Sequence, residues 1–320
     1  MSKPYVFITM KIPDEAIEKL SEVAHVSVWE GDSPVSRQRL LDEVQKADAL
    51  LCMLTDSIDQ QILDNGTHLK IVANMAVGYD NIAIPYAAEK GIVVTNTPEV
   101  LSEATADLTF ALMLTTARRI VEASSFLRNG EWTSWSPLLL AGQDVYDATL
   151  GIIGMGRIGE GVARRAKGFD MRVLYYNRTR KKHAEERLGV EYCELDSLLK
   201  EADFVVVLTP LTSETKGLIS TNQFKAMKKN AIFINTSRGA VVDEEALYQA
   251  LLEKEIWGAG LDVFQQEPVS TEHPLLQLPN VVTLPHIGSA SIKTRTEMAL
   301  LAAENIIAVL QNKKPITPVC

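Results

Sequence analysis

The most constraining feature of the sequence is the segment that runs from Thr149 to Asn177. It starts with an apolar, strand-like run (TLGII), continues with a glycine-rich turn and an amphipathic stretch, Arg157–Gly168, and ends in a second strand-like run. In such a unit the first glycine permits a tight turn, the second lets a pyrophosphate approach the backbone, and the third lets helix and strand pack closely. The helix N-terminus then faces the phosphates. We therefore predict a parallel α/β domain whose dinucleotide-binding turn is Gly154, Met155, Gly156, Arg157, Ile158 and Gly159.

The first hundred residues alternate short apolar runs with amphipathic stretches, which is typical of a parallel sheet covered by helices. The predicted strands are Tyr5–Thr9, Val26–Trp29, Ala49–Leu54 and Lys70–Met75. The predicted helices are Pro13–Val23 and Ser36–Ala47, because proline suits a first helical turn and serine suits an N-cap.

The remaining elements follow the same kind of pattern. Residues 101–128 are predicted to form one long helix, and the Trp-bearing stretch from Asn129 to Asp147 is predicted to be irregular. A second β/α series starts at Thr149, and an amphipathic helix at Ser291–Gln311 follows it.

Length and composition indicate a two-domain enzyme of ordinary type. A chain of 320 residues is too long for one ordinary hydrophobic core, and 46% hydrophobic with 23% charged residues is typical of globular proteins. A net charge of −9 argues against nucleic acid or an anionic membrane as the main partner. The three cysteines have no metal-ligand spacing, and no apolar run approaches the roughly 18 residues that span a bilayer. We expect a cytoplasmic protein without a metal site.

Polar and glycine residues in the second half follow strand-like runs at their carboxyl ends. Ligands of open parallel sheets bind outside those ends, so we expect these residues to share one ligand site. They are Gly154, Gly156, Asn177, Thr209, Arg238, Asp262 and His286.

The residues after the second strand of this unit indicate the cofactor. Folds that bind NAD usually have an acidic residue there for the ribose 2′-hydroxyl, whereas a nearby arginine accommodates the 2′-phosphate of NADP. This chain has Asn177, Arg178, Thr179 and Arg180, followed by two lysines. The positive charges match a phosphate. NADPH is therefore the expected cofactor, with NADH as the weaker alternative; a solvated basic loop is the structural alternative.

Three residues form the predicted catalytic set. Reduction of a 2-keto acid requires a cation for the carboxylate, and the fork of Arg238 suits that task. It also requires an acid that titrates near neutrality, which His286 supplies. Glu267 would favour the protonated imidazole and fix its orientation. Taken singly, each has an ordinary alternative as an ion-pair, turn or surface residue.

Several longer motifs carry a resemblance to a known family. They are NMAVGYDN at 74–81, GIIGMGRIG at 151–159, NTSRGAVVDE at 235–244, LDVFQQEP at 261–268 and LPHIGSA at 284–290. In this order, over essentially the whole chain, they resemble the D-isomer-specific 2-hydroxyacid dehydrogenases, most closely the glyoxylate/hydroxypyruvate reductase branch.

The resemblance implies two doubly wound parallel-sheet domains. Residues 1–98 together with 289–320 would form a flavodoxin-like substrate-binding domain. Residues 99–288 would form a Rossmann-type cofactor domain inserted between them. A homodimer is also expected, from the resemblance and from the predicted helix at 101–128.

The resemblance further implies roles for individual residues. The backbone N–H groups of Val77 and Gly78 would hold the substrate carboxylate, although a plain tight turn is the alternative. Trp135 would reach the substrate pocket of the neighbouring subunit or act as an interface anchor. Asp262 would lie near the nicotinamide amide or cap a strand end. In addition to the glycine turn and the loop at 177–179, the expected cofactor site contains Thr209, Pro210, Thr236, Ser237, Asp262 and Gly288.

The leading functional hypothesis is an NADPH-dependent reductase of glyoxylate, hydroxypyruvate or a related small 2-keto acid. A broader or sugar-derived 2-keto acid reductase, such as one acting on 2-ketogluconate, is the alternative within the same class. Phosphoglycerate and formate dehydrogenases fit less well, because the acidic cofactor residue is missing and His286 is paired with glutamate. A dinucleotide-sensing scaffold on the same fold is the hypothesis from another class.

Overall fold

The computed structural model describes residues 3–31 and 33–320. The chain divides into two compact units. We call Met1–Leu101 with Ser289–Cys320 the terminal unit, and Ser102–Gly288 the central unit.

Strands and helices alternate along nearly the whole chain. The strands are β1 (Tyr5–Ile8), β2 (His25–Val28), β3 (Ala49–Cys52), β4 (Ile71–Asn74), β5 (Val93–Thr95), β6 (Thr149–Ile153), β7 (Arg172–Tyr176), β8 (Glu191–Tyr192), β9 (Phe204–Val207), β10 (Ile232–Asn235), β11 (Gly258–Leu261) and β12 (Val281–Thr283). The α-helices are α1 (Asp14–Ser21), α2 (Arg37–Val44), α3 (Gln60–Asn65), α4 (Ile84–Glu89), α5 (Ser102–Ala117), α6 (Ile120–Arg128), α7 (Arg157–Lys167), α8 (Lys182–Leu188), α9 (Leu195–Glu201), α10 (Thr221–Ala226), α11 (Glu244–Leu252) and α12 (Ile292–Leu310). Two short 3-10 helices are Gly239–Val241 and Pro274–Gln277.

The terminal unit is built on a five-stranded parallel sheet in the order β2-β1-β3-β4-β5. This is the flavodoxin-like order of a doubly wound sheet. All four residues of β3 and of β4 are buried, as expected for strands covered on both faces. Ser36 caps α2 and Ser291 caps α12, each accepting a backbone N–H three residues later. The N-cap predicted at Ser36 is therefore confirmed.

The central unit contains a seven-stranded parallel sheet in the order β12-β11-β10-β9-β6-β7-β8. The strand order reverses between β6 and β9, which is the Rossmann arrangement extended by one strand. Ile232 and Ile234 of β10 pack into one core cluster while Phe233 packs into another, so both sheet faces are buried. The predicted fold class is confirmed: both domains are doubly wound parallel sheets.

The single helix predicted over residues 101–128 is wrong, because the structure has two helices there, α5 and α6. Arg119 lies in the left-handed region, with φ of 51°. Its guanidinium donates to Glu122 at 2.6 Å and to the carbonyl of Ala141 at 3.3 Å. The N–H of Gln143 donates to Ala117 O at 2.8 Å, which closes the end of α5. Contacts with the 141–143 segment therefore fix a bend that helical periodicity does not reveal.

Within the described residues no helix combines the length and the apolar character needed to cross a membrane. The stretch from Asn129 to Asp147, predicted to be irregular, contains no helix or strand.

Candidate active site at the strand ends of the central unit

The glycine turn after β6 has the geometry that a dinucleotide requires. Gly154 has a φ of +107°, and a Cβ there would lie 2.8 Å from Leu208 C and 2.9 Å from Thr209 N. A Cβ on Gly159 would lie 2.5 Å from Gly154 O, so this glycine lets α7 pack closely on the turn. Gly156 is the N-cap of α7, and apart from its own local backbone no atom of residues 3–31 and 33–320 lies within 4 Å of a Cβ placed there. The space above Gly156 can therefore receive a phosphate group at a helix N-terminus.

The other residues predicted for the cofactor turn divide between core and surface. Met155 is buried in the core cluster that contains Ile232 and Ile234, and Ile158 packs against that cluster. Both side chains therefore anchor the turn to the hydrophobic core. Arg157 is the first residue of α7. The hydroxyl of Thr209 is buried without a hydrogen-bond partner among the described residues. A buried polar atom normally has a partner, so this hydroxyl next to the glycine turn fits a site for a polar ligand.

The loop after β7 contains the predicted cofactor-selecting residues. Asn177 donates through Nδ2 to Thr179 O at 2.8 Å, which ties the loop together. Arg178 is exposed and its Nη1 lies 2.7 Å from Glu214 Oε2. Arg180 is bound differently: it pairs with Glu185 at 2.6 Å and stacks over the Tyr192 ring.

This difference leaves fewer of the predicted basic residues as candidate ligands of a cofactor phosphate. The Arg180 and Tyr175 hydrogen bonds hold the pKa of Glu185 at about 2, so that carboxylate stays ionised and keeps Arg180 in place. Arg178 pairs with Glu214, and both side chains are exposed, so another anion can easily replace that partner. Arg178 is therefore the stronger candidate for a 2′-phosphate ligand.

The buried asparagine at the end of β10, Asn235, fixes the backbone of Arg238. Asn235 is 1% exposed; its Oδ1 accepts from Ser237 N at 3.0 Å and Ser237 Oγ at 2.8 Å. Its Nδ2 donates to Arg238 O at 3.0 Å. The hydroxyl of neighbouring Thr236 is paired with that of Thr109 at 2.7 Å. These hydrogen bonds fix the backbone that carries the Arg238 side chain. Asn235 belongs to the motif at 235–244, but nothing in that motif indicates its supporting role.

Gly239 brings this turn against the segment that contains Glu267. A Cβ on Gly239 would overlap the backbone of Phe264 and Gln265. Burial and the His286 hydrogen bond are the larger influences on the pKa of Glu267, and the positive charge of Arg238 lowers it further.

Glu267 and His286 form a direct pair. Nδ1 of His286 donates to Glu267 Oε2 at 2.7 Å, and Glu267 Oε1 accepts the N–H of Phe264 at 2.9 Å. Burial on its own raises the pKa of Glu267, but the His286 hydrogen bond and charge outweigh burial and leave it below its ordinary value. Glu267 is therefore ionised near neutral pH. Because Nδ1 is engaged, Nε2 is the ring atom left to face a reactant.

Asp262 holds the turn from which His286 projects. Its Oδ1 accepts the N–H of Ile287 at 2.8 Å, and its backbone O accepts the N–H of His286 at 2.9 Å. His286 has a φ of 54°, a conformation that non-glycine residues seldom adopt. Burial raises the pKa of Asp262, against the opposing effects of the Ile287 hydrogen bond and the His286 charge. A Cβ on Gly288 would lie 3.3 Å from Asp262 Oδ2, so a larger residue would crowd that carboxylate.

The predicted substrate residues outside this cluster lie in other surroundings. Val77 and Gly78 are half-buried in the loop after β4 of the terminal unit. Trp135 lies in the irregular stretch and is 77% exposed. Pro210, which was predicted for the cofactor site, follows β9, and its carbonyl accepts the hydroxyl of Thr215 at 2.6 Å.

A separate cavity of about 780 Å³ lies elsewhere in the central unit. Its lining includes Trp257 and Asn280, which directly precede β11 and β12. Ligands of open parallel sheets bind at the opposite, carboxyl ends of the strands. We therefore assign the chemistry to the strand ends and not to this cavity.

Comparison with known proteins gives one consistent family. Residues 110–288 match the sequence profile described as "D-isomer specific 2-hydroxyacid dehydrogenase, NAD binding domain". The glyoxylate reductase of Korarchaeum cryptofilum is 51% identical over 314 residues, which cover 98% of this chain and 95% of that protein.

Two solved structures extend the similarity to three dimensions. The NADPH-dependent glyoxylate/hydroxypyruvate reductase of Sinorhizobium meliloti, in complex with NADP and malonate, superposes with a TM-score of 0.86 at 34% identity, covering 100% of this chain and 97% of that one. A glyoxylate reductase from Paecilomyes thermophila gives a TM-score of 0.88 at 30% identity, covering 100% of this chain and 99% of that one.

Proposed function

Because the chain belongs to the D-isomer specific 2-hydroxyacid dehydrogenase family and is an NAD(P)H-dependent oxidoreductase, we propose that it reduces small 2-keto acids with NADPH. Glyoxylate would give glycolate, and hydroxypyruvate would give D-glycerate. The observation that carries the proposal is the Glu267–His286 hydrogen bond, at the carboxyl ends of the same parallel sheet that carries the glycine turn and Arg238.

In the proposed mechanism, each of the three side chains has one task. Arg238 binds the substrate carboxylate and draws electron density from the adjacent carbonyl. His286 donates a proton from Nε2 to the carbonyl oxygen. Glu267 accepts from Nδ1, which fixes the ring and stabilises the protonated form before transfer. When bound at the glycine turn after β6, NADPH would supply the hydride that reduces the carbonyl carbon.

The proposal also gives the loop after β4 a role in binding the substrate carboxylate. The N–H groups of Val77 and Gly78 would bind the substrate carboxylate, because backbone N–H groups in a loop make a small concave anion site. The Sinorhizobium meliloti relative was solved with malonate, a dicarboxylate, which supports an anion site in this family.

The proposed cofactor preference rests on the loop after β7. Asn177 and the exposed Arg178 stand where an NAD-binding fold usually has an acidic residue. The Sinorhizobium meliloti relative is NADPH-dependent, which supports the same preference here.

We also propose a homodimer. Large apolar side chains lie exposed on α6 and the irregular stretch after it: Ile120, Val121, Leu127, Trp132, Trp135, Leu138, Leu139 and Tyr146. Exposed apolar surface concentrated on one segment is typical of a protein interface. Trp135 would either anchor that interface or reach the substrate of the partner subunit.

A substrate panel tests the proposal. Glyoxylate, hydroxypyruvate, pyruvate and 2-ketogluconate are assayed for oxidation of NADPH and, separately, of NADH. We expect the highest kcat/KM with glyoxylate or hydroxypyruvate and NADPH. A preference for 2-ketogluconate would favour the sugar-derived alternative, and cofactor binding without turnover of any keto acid would favour a sensing role.

A further inference from the structure

Three consecutive backbone carbonyls in the loop after β4 are each held by a hydrogen bond. Ala76 O accepts the N–H of Thr97 at 2.9 Å. Val77 O accepts from Asn96 Nδ2 at 2.8 Å. Gly78 O accepts from Asn74 Nδ2 at 2.8 Å. Each peptide plane in this part of the loop is therefore fixed by a donor on its carbonyl side.

Holding the carbonyls determines where the neighbouring N–H groups point. In a trans peptide the C=O and the N–H of one unit point in opposite directions. The N–H groups of Val77, Gly78 and Tyr79 are thus turned away from Thr97, Asn96 and Asn74, respectively. Across residues 3–31 and 33–320, none of these three N–H groups donates a hydrogen bond. Successive N–H groups of this kind can receive an anion.

The two asparagines are themselves fixed. Asn74 is the last residue of β4 and is fully buried, and its Nδ2 also reaches Asn81 Oδ1 at 3.3 Å. Asn81 in turn donates to the carbonyls of Met53 at 3.1 Å and Asp56 at 2.9 Å. This chain of amides connects the loop to the end of β3.

Asn96 is fixed from the other side. Its backbone O accepts the hydroxyl of Thr317 at 2.6 Å, and its N–H donates to Thr317 O at 3.3 Å. The side-chain amide is therefore presented to Val77 from a backbone that is tied to the C-terminal segment.

We infer that Asn96 is a positioning residue that orients the N–H group of Gly78 toward the substrate carboxylate, while Asn74 fixes the next peptide unit, which carries the N–H of Tyr79. The inference rests on the proposed function, in which the N–H groups of Val77 and Gly78 bind that carboxylate. The residue type is required chemically, because a carbonyl needs a donor and aspartate has none when ionised. An aspartate would also place a negative charge beside the anion.

Asn96 offers the sharper test, because it is half-buried whereas Asn74 is fully buried. We would prepare Asn96→Ala, Asn96→Asp and Asn96→Gln. The matched control is Asn280→Ala in the central unit, where Nδ2 likewise donates to a distant carbonyl, Trp257 O, at 3.0 Å. Steady-state kinetics with glyoxylate, inhibition by oxalate, and direct NADPH binding are measured for each.

We expect the Ala and Asp variants to raise KM for glyoxylate and to weaken oxalate inhibition by roughly tenfold to a hundredfold, as misplaced binding groups typically do. The Asp variant should be the worse of the two, and Gln should recover part of the loss because it keeps the amide donor. NADPH affinity should change by less than about twofold. Asn280→Ala should leave KM for glyoxylate and oxalate inhibition at wild-type values.

Other outcomes distinguish a failure of this inference from a failure of the proposed function. If Asn96→Ala lowers only the fraction of active enzyme, so that apparent kcat falls while KM and oxalate inhibition stay unchanged, the residue is merely structural and the inference is wrong. If the wild type itself does not turn over glyoxylate or any other 2-keto acid, the proposed function fails first.

Discussion

Glu267 and His286 share a hydrogen bond of 2.7 Å between Oε2 and Nδ1, so a negative charge lies on one side of the imidazole ring. The pKa of Glu267 is shifted downward despite its burial, because the bond and charge of His286 outweigh desolvation. The charge of Glu267 is therefore present at neutral pH and is lost only as the pH falls through this lowered pKa. At the residue scale, this pair is the proposed source of the proton that the reduction requires.

Substitution of Glu267 with glutamine should change how the rate depends on pH. Glutamine keeps an acceptor for Nδ1 but removes the carboxylate, whose pKa is lowered by the His286 hydrogen bond and charge against the effect of burial. At neutral pH kcat/KM should therefore fall, and the loss of rate that accompanies protonation of Glu267 at low pH should disappear from the profile. The measurement is kcat/KM against pH in both directions. An unshifted profile at full activity would make Glu267 an ordinary turn residue.

Replacing Arg178 with alanine should weaken use of NADPH selectively. Loss of one charged hydrogen bond typically costs about 1.5–3 kcal/mol, which is roughly tenfold to a hundredfold in kcat/KM. NADH efficiency should be unchanged. Glu214→Gln is the control, because it removes the partner of Arg178 and leaves the arginine in place, so NADPH efficiency should be kept or improved. An equal loss with both cofactors would show that the loop is structural.

At the scale of elements, the sequence predicted strands and helix starts well where burial and capping act locally. β3 is a continuous apolar run, β4 is apolar up to its last residue, Asn74, and Ser36 caps α2 as predicted. The bend at Arg119 was missed because it depends on residues 141–143, far along the chain. The two-residue strand β8 was also missed, since so short a run has no periodicity.

The candidate site shows the same division between local and distant information. Residue types at the carboxyl ends of strands pointed to Arg238, Glu267 and His286. The supporting asparagines were not recognised, because an asparagine in a loop is ordinarily a turn residue. Asn96 acts on Val77, 19 positions earlier, and sequence alone gives no sign of that contact.

Gly239→Ala should disrupt the junction that brings Arg238 near Glu267. The added Cβ would overlap the backbone of Phe264 and Gln265, which cannot move as a flexible side chain could. We expect a loss of about 1–3 kcal/mol in the free energy of unfolding, as for other overpacked sites, together with reduced turnover. Gly168→Ala is the control, because its nearest contact would be an ordinary 3.4 Å. Urea unfolding and kcat with glyoxylate measure both effects, and wild-type values for Gly239→Ala would contradict the account.

At the scale of the whole molecule, two parallel-sheet units share one chain, and the central unit is inserted into the terminal one. The insertion cannot be read from periodicity, because both units alternate strands and helices in the same way. The family resemblance predicted it from long motifs whose order spans the chain.

The exposed apolar side chains after α5 lead to a prediction about assembly. Light scattering should give a mass of about twice 35.3 kDa. Leu138 is 82% exposed, so Leu138→Asp should weaken the dimer by placing a charge in the interface without disturbing a core. A fully active monomer of wild-type protein at assay concentration would contradict both the dimer and any role of Trp135 in a partner's site.

The most direct test of the central claim is glyoxylate-dependent NADPH oxidation by the wild type and by His286→Ala. The control is His183→Ala, which changes an exposed histidine of the same unit. The account predicts turnover by the wild type and the control, and a loss of roughly 10²–10⁴ in kcat for His286→Ala with NADPH affinity preserved. Full activity of His286→Ala, or a wild type that binds NADPH yet leaves glyoxylate unreduced, would contradict it.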